Sequence, residues 1–245
     1  MSNRAAIVTG ASSGIGLAIA RMLGEEGHAL TVNSRRPEKL DAAVAELAQA
    51  GFDVQGVPGS VADEEVVKAV VAAHRDRHGR LDVLVNNAGV GAGEPIHQLT
   101  TKKLDLQIGA NLRHIPLFYR EAYEMLVAAG AEHGNALVIN TSSISGKRGE
   151  AWLSVYSATK HAVVGFTQAM NKELGPKHVK SCALCPAFVD TPMTDFIKDR
   201  LPADRMIQVS DIVESVRFLL RLSPGCVVPE IVFTGPGGAV AVQSA

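Results

Sequence analysis

Cysteine is scarce and odd in number: three in 245 residues. Three cannot all pair, which excludes a disulfide-stapled scaffold. With an apolar strand pattern in place of a leader at the start, the expectation is a reducing, cytoplasmic setting. Long apolar runs are also missing. No uninterrupted stretch reaches the roughly 18 residues that a membrane-spanning helix needs. Neither sign of charge dominates, since 24 Lys+Arg against 25 Asp+Glu leave a net charge of −1. That balance offers no basic footprint for nucleic acid or an anionic membrane, so neither is expected as a partner. No linker, repeat or low-complexity stretch divides the chain. With 47% hydrophobic residues, residues 1–245 are read as one α/β domain.

Two of the cysteines, Cys182 and Cys185, form a C-x-x-C. The pattern admits redox or metal chemistry, but it sits inside the apolar run 179–185 with no second pair. It is read as two buried strand cysteines, and no metal site is expected.

What the chain does have is alternation. Short apolar runs at 5–9, 29–34, 52–57, 81–85, 136–140, 179–185 and 231–234 read as strands. Helical patterns separate them. One follows Gly16 and ends at Gly27. A second runs from Pro37 to about Ala50, with Pro at its first turn. A third is capped by Asp63, with Glu64 and Glu65 behind it. Two more are expected at about 100–109 and 112–130, interrupted by Gly109-Ala110-Asn111. The remaining two run from Val155 to Leu174, where Gly175-Pro176 stops the helix, and over about 210–222. Residues 186–202 read as irregular. Strict strand–helix alternation predicts a doubly wound parallel sheet of about seven strands with helices on both faces. Ligands of such sheets bind beyond the carboxyl ends of the strands.

The first of those ends carries Thr9-Gly10-Ala11-Ser12-Ser13-Gly14-Ile15-Gly16. Strand, glycine-rich turn and helix make a dinucleotide-binding arrangement of Rossmann type. Gly10 permits a tight turn, Gly14 a close approach of pyrophosphate, and Gly16 close packing of helix on strand. The helix N-terminus supplies N–H donors for phosphate. The spacing is G-x-x-x-G-x-G rather than G-x-G-x-x-G. The second strand ends in Asn33-Ser34-Arg35-Arg36, with no acidic residue to accept hydrogen bonds from a ribose 2′-hydroxyl. Arginine there suits a 2′-phosphate, so the cofactor read from these residues is NADP, with Arg35 as the main contact; solvated loop arginines are the alternative.

Tyr156 and Lys160 lie four apart on a helix, which places both side chains on one face. A phenol titrates near about 10, and a neighbouring ammonium is expected to lower that value, giving a general acid/base. The same spacing also describes an ordinary tyrosine and an exposed lysine.

Taken in order, Thr9-Gly10-(x)3-Gly14-Ile15-Gly16, Asn86-Asn87-Ala88-Gly89, Asn111, Ser143 and Tyr156-(x)3-Lys160 resemble the short-chain dehydrogenase/reductase family from about residue 4 to 234. The resemblance implies a hydride exchange between NADP(H) and a carbonyl or secondary alcohol. Tyr156 would be the acid/base and Lys160 would lower its pKa and hold the nicotinamide ribose. Ser143 would polarise the substrate oxygen, with Ser142 as rival, and Asn111 would hold a relay water. Gly10, Ser12, Ser13, Gly14, Ile15, Gly16, Ser34, Arg35, Arg36, Asn87, Ala88, Gly89, Pro186, Val189 and Thr191 would complete the cofactor site with Tyr156 and Lys160. Asn87 would line the adenine-ribose side. The chain is similar to 3-oxoacyl-carrier-protein reductases and carbonyl reductases, and a homodimer or homotetramer is implied. Departures from the family pattern are Ser60 for an acidic residue, Pro186-Ala187 for Pro-Gly, and the tail Phe233-Thr234-Gly235-Pro236-Gly237-Gly238. The substrate wall is expected from 90–96, 144–153 and 188–201, with Trp152, Leu153, Phe188, Met193 and Phe196 forming an apolar pocket and Lys147 and Arg148 close by. No large lid is expected from 191–202. A non-catalytic NADP-binding sensor or scaffold is the competing reading, and it predicts decay of the Ser/Tyr/Lys set, which is intact here.

Overall fold

The computed structural model describes residues 4–236. Its strands are β1 (Ala5–Thr9), β2 (Ala29–Ser34), β3 (Val54–Pro58), β4 (Val83–Asn86), β5 (Ala136–Thr141), β6 (Val179–Pro186) and β7 (Glu230–Phe233). They form one parallel sheet in the order β3-β2-β1-β4-β5-β6-β7. The helices are α1 (Gly14–Glu25), α2 (Pro37–Gln49), α3 (Glu64–His78), α4 (Thr101–Ile108), α5 (His114–His133), α6 (Ser154–Leu174) and α7 (Val209–Leu220). This is the doubly wound, Rossmann-type fold.

Strand pleating divides the core in two. Ala6, Val8, Val83 and Val85 face α1, α2 and α7, where they meet Ile19, Leu40 and Val216. Ile7 and Leu84, one residue out of phase, face α3, α5 and α6, where they meet Val67, Phe118 and Val163. Both faces are covered, which is why these strands read as unbroken apolar runs rather than as alternating ones. Odd spacing also separates the two strand cysteines. Cys182 packs on the α1/α2/α7 side and Cys185 beside Val164, so they point to opposite faces and cannot bridge. Burial pushes the Cys182 thiol up to about 12, far from a reactive thiolate.

The strand limits moved by a residue or two: β3 starts at Val54 and β4 at Val83. Asp63 caps α3 as expected, accepting from the Glu65 N–H at 3.0 Å. Two corrections are larger. The chain does not break at Gly109-Ala110-Asn111. It stays helical but widens into a π turn, Gly109–Arg113, that joins α4 to α5. Asn111 there does not compete for its own helix. Its amide is held instead by the Val90 backbone, accepting from the N–H at 2.7 Å and donating to the carbonyl at 3.1 Å. Residues 186–202 are also less irregular than read, since β6 extends to Pro186 and Pro192–Ile197 forms a 3-10 helix. Gly237 and Gly238 of the tail lie outside the described residues.

Candidate active site

The site assembles where β1, β4, β5 and β6 end. Gly10 and Gly14 have φ of +65° and +55°, left-handed values that favour glycine. Gly16 faces the tightest constraint: a Cβ there would lie 2.4 Å from the Gly10 carbonyl oxygen and 2.5 Å from Asn87 Nδ2. The Asn87 amide donates to the carbonyls of Thr9 at 3.2 Å and Gly10 at 3.4 Å, while its Oδ1 accepts from the Thr141 hydroxyl at 3.3 Å. It therefore ties three strand ends together. The Thr9 hydroxyl accepts from the N–H groups of Asn87 and Ala88, each at 3.0 Å. Around the turn, the Ser34 hydroxyl donates to Ser12 Oγ at 2.8 Å. Ser13 precedes α1 without capping it, and the side chain of Ile15 packs into the core. Thr191 rests on the turn, its Cγ2 lying 3.3 Å from where a Gly14 Cβ would be. Val189 is buried, so only its backbone can face a ligand.

At the end of β2, Arg35 and Arg36 are exposed, and neither forms an ion pair among the described residues. Asn33, beside them, is buried and donates to the carbonyls of Val57 and Gly59. Ser60 accepts from the Ala62 N–H at 3.4 Å, a turn contact of its own. Ala187 avoids the left-handed region, so it fills the Pro-Gly position without strain.

Ser143, Tyr156 and Lys160 come together. The Ser143 hydroxyl accepts from the Ser145 N–H at 3.2 Å, reaches the Pro186 carbonyl at 3.5 Å and lies close enough to the Tyr156 phenol to act on its titration. Ser142 faces elsewhere, donating to the Lys160 carbonyl at 2.9 Å, and a Cβ on Gly146 would press within 2.4 Å of its oxygen. Lys160 is 4% exposed. Its ammonium donates to the Thr141 carbonyl at 2.7 Å and sits 5.6 Å from the Tyr156 ring centroid. Asn111 Oδ1 and Lys160 Nζ converge on Gly89, lying 3.1 Å and 3.6 Å from where its Cβ would be.

The expected direction of the tyrosine shift is corrected here. Burial pushes the Tyr156 phenol above its ordinary value, and the neighbouring Ser143 hydroxyl only partly opposes this. The lysine is the group brought down: burial lowers it from 10.5 to about 8. Loss of water at both groups outweighs their mutual effect, and the ammonium is directed at a carbonyl rather than at the phenol oxygen.

A model of the short chain dehydrogenase family matches residues 4–201. This chain belongs to the short chain dehydrogenase family. Its class of chemistry is therefore oxidoreduction. A Streptomyces coelicolor protein with the provisional name ketoacyl reductase is 37% identical over 235 residues, spanning 88% of this chain and 89% of that one. A 3-oxoacyl-acyl-carrier-protein reductase of Staphylococcus aureus is 34% identical over 225 residues, spanning 88% and 90%. Among solved structures, a variant of actinorhodin polyketide ketoreductase with NADPH superposes with a TM-score of 0.86 at 33% identity, covering 95% of this chain and 96% of that one.

In this short-chain dehydrogenase apolar side chains flank the loop after β4. Met193 lies against Gly91 and Leu153 against Gly93. Trp152, Met193 and Phe196 are 51%, 54% and 74% exposed. The two nearby cations are not free: Lys147 pairs with Glu230 at 2.8 Å and Arg148 with Glu150 at 2.6 Å. Four residues near the site escaped the sequence reading. Thr141 supplies the carbonyl under Lys160. His114, fully buried, follows Asn111 by three residues, and that helical spacing was the available signal. Glu94 and Gln107 gave no local signal at all.

Proposed function

We propose that this short-chain dehydrogenase is an NADP(H)-dependent carbonyl reductase acting on apolar ketones or 3-oxoacyl thioesters. The convergence of Ser143, Tyr156 and Lys160 at the strand ends, one strand from the glycine turn, carries the reading. The chain's residues fit the dinucleotide. Gly10 and Gly14 take the left-handed backbone of a tight turn, Gly16 lets α1 close on Gly10 and Asn87, α1 presents its N-terminus there, and Arg35 and Arg36 form no ion pair among the described residues where a 2′-phosphate would lie. The relative solved with NADPH supports the same choice.

When bound, the nicotinamide supplies or accepts the hydride. The chain's part is proton traffic and orientation. Tyr156, a phenol that carries its proton at neutrality, donates it to the carbonyl oxygen as negative charge develops there. Ser143 donates a hydrogen bond to the same oxygen. Lys160, whose pKa lies near 8, is poised to pass a proton back to Tyr156, and Asn111 beside it completes the relay. The chain acts as one domain, in the cytoplasm, and assembles as a homo-oligomer through α5 and α6. The names of the ketoacyl and 3-oxoacyl reductase relatives support the substrate class.

The test is NADPH and NADH oxidation by the purified protein across simple ketones, diketones and 3-oxoacyl thioesters. Turnover with NADPH is expected. Tyr156→Phe should lower kcat by at least about 100-fold while cofactor binding persists; turnover retained in that variant overturns the assignment.

A further inference from the structure

Trp152 is the one tryptophan of the chain, and its backbone is strained. Its φ is +66°, a left-handed value that a bulky side chain rarely adopts. Among the described residues His178 is the other non-glycine in that region, a residue type that enters it more readily, and it ends a short 3-10 turn. The chain holds Trp152 from both sides. Its carbonyl accepts from the Glu94 N–H at 2.7 Å. A Cβ on Gly93 would come within 3.2 Å of that carbonyl and 2.9 Å of Leu153 Cδ2. On the other flank the Leu153 N–H donates to the Glu150 carbonyl at 3.2 Å, and the Leu153 carbonyl accepts from the Ser157 N–H at 2.7 Å. Glycine would meet all these restraints without strain.

The fold gains little from a tryptophan in that position. The residue is 51% exposed, so much of its apolar surface stays in water. No other ring packs on the indole among the described residues. A strained residue that is neither buried nor stacked points to a role outside folding. Its place says which. Trp152 precedes Tyr156 by four residues. It lines a small cavity with Val155, the neighbour of Tyr156, and with Ile96 and Leu99. The loop after β4 that it holds also carries Gly91, on which Met193 lies. Ile96 and Met193 are themselves 69% and 54% exposed. Charges on the loops that meet here are compensated, Glu94 by Lys103 at 2.5 Å and Arg148 by Glu150 at 2.6 Å. What is left on offer is flat, apolar and fixed in place, which suits an uncharged ring.

We propose that Trp152 is a specificity-determining residue of the reductase, whose indole is the platform on which an aromatic ring of an uncharged ketone stacks. The proposal rests on the reductase reading above. The substrate class is therefore aryl and benzo-fused ketones, in preference to saturated ketones of the same skeleton. The strain holds the indole at the site before substrate arrives, so little is lost in ordering it on binding.

The test compares 2-tetralone with 2-decalone, which share a skeleton and differ in one aromatic ring, in wild type, Trp152→Phe and Trp152→Gly. The ratio of their kcat/KM values in wild type, divided by the same ratio in Trp152→Gly, cancels intrinsic reactivity. It should be about 3- to 10-fold, the effect of one aromatic pair, and Trp152→Phe should keep most of it. NADPH binding reports that each variant is folded. A second measurement needs no variant. Because Trp152 is the one tryptophan, emission excited at its red edge reports this residue alone. With NADPH bound, adding 2-tetralol at concentrations that inhibit turnover should lower the acrylamide quenching slope at least about twofold, as the ring covers the half-exposed indole. A tetralone preference unchanged in Trp152→Gly, or a quenching slope that 2-tetralol does not move, overturns the platform and leaves the reductase reading intact. NADPH oxidation absent with every ketone overturns the reductase reading and the platform with it.

Discussion

Lys160 is a buried ammonium with no carboxylate partner among the described residues, and its replacement by methionine exposes what that arrangement does to stability. Burial lowers its pKa from 10.5 to about 8. The sign follows from proton linkage. Below about pH 8 both native and unfolded chains carry the proton, and the native state carries the full desolvation penalty. Between about pH 8 and the ordinary lysine value the unfolded chain holds more protons, so stability rises with pH. At about 1.4 kcal/mol per pKa unit, the shift amounts to about 3 kcal/mol at neutrality. Lys160→Met keeps the length of the side chain and removes the titration. It also removes the 2.7 Å bond to the Thr141 carbonyl, a charged hydrogen bond contributing about 1.5–3 kcal/mol. The two effects nearly cancel near neutrality, so the variant should be about as stable as the wild type there, and inactive. The pH dependence does not cancel. The unfolding free energy of wild type minus variant should grow by about 2–3 kcal/mol from about pH 7 to about pH 10. Urea unfolding followed by far-ultraviolet circular dichroism at stepped pH reads this directly, with a constant slope on denaturant confirming a common unfolded state. A flat difference curve would refute the reasoning, since it would mean that Lys160 keeps its ordinary pKa inside the fold.

The two serines separate structure from chemistry. Ser143→Ala should lower kcat/KM by about 100-fold with little change in melting temperature, whereas Ser142→Ala, which loses the bond to the Lys160 carbonyl, should lower stability by about 1 kcal/mol and leave kcat within a few-fold; the reverse pattern moves the catalytic role by one residue. Gly16→Ala drives a methyl group into the Gly10 carbonyl and the Asn87 amide, so overpacking of about 1–3 kcal/mol is expected. Calorimetry should then show a melting temperature lower by about 2–12 °C, and titration should show weaker NADPH binding; an unshifted melting temperature would mean that the turn has room the geometry denies.

The parts of this site that could be read from sequence are those fixed by short-range spacing. Tyr156 and Lys160 share a face because four residues make about one turn of helix, and the glycine turn follows a strand that its apolar run announces. The π turn was not legible, because Asn111 is held by the backbone of Val90, a contact set by how the loop after β4 passes the helix. The direction of the tyrosine shift was misread for a related reason. Helical spacing gives the distance between a phenol and an ammonium, but desolvation depends on what the rest of the chain packs around them. Here that packing raises one pKa and lowers the other. The phenol is held further inside its protonated range, and the ammonium is the group brought nearer to its titration point. The desolvation that brings the Lys160 pKa down towards neutrality is also what costs the fold stability, so one arrangement sets both quantities.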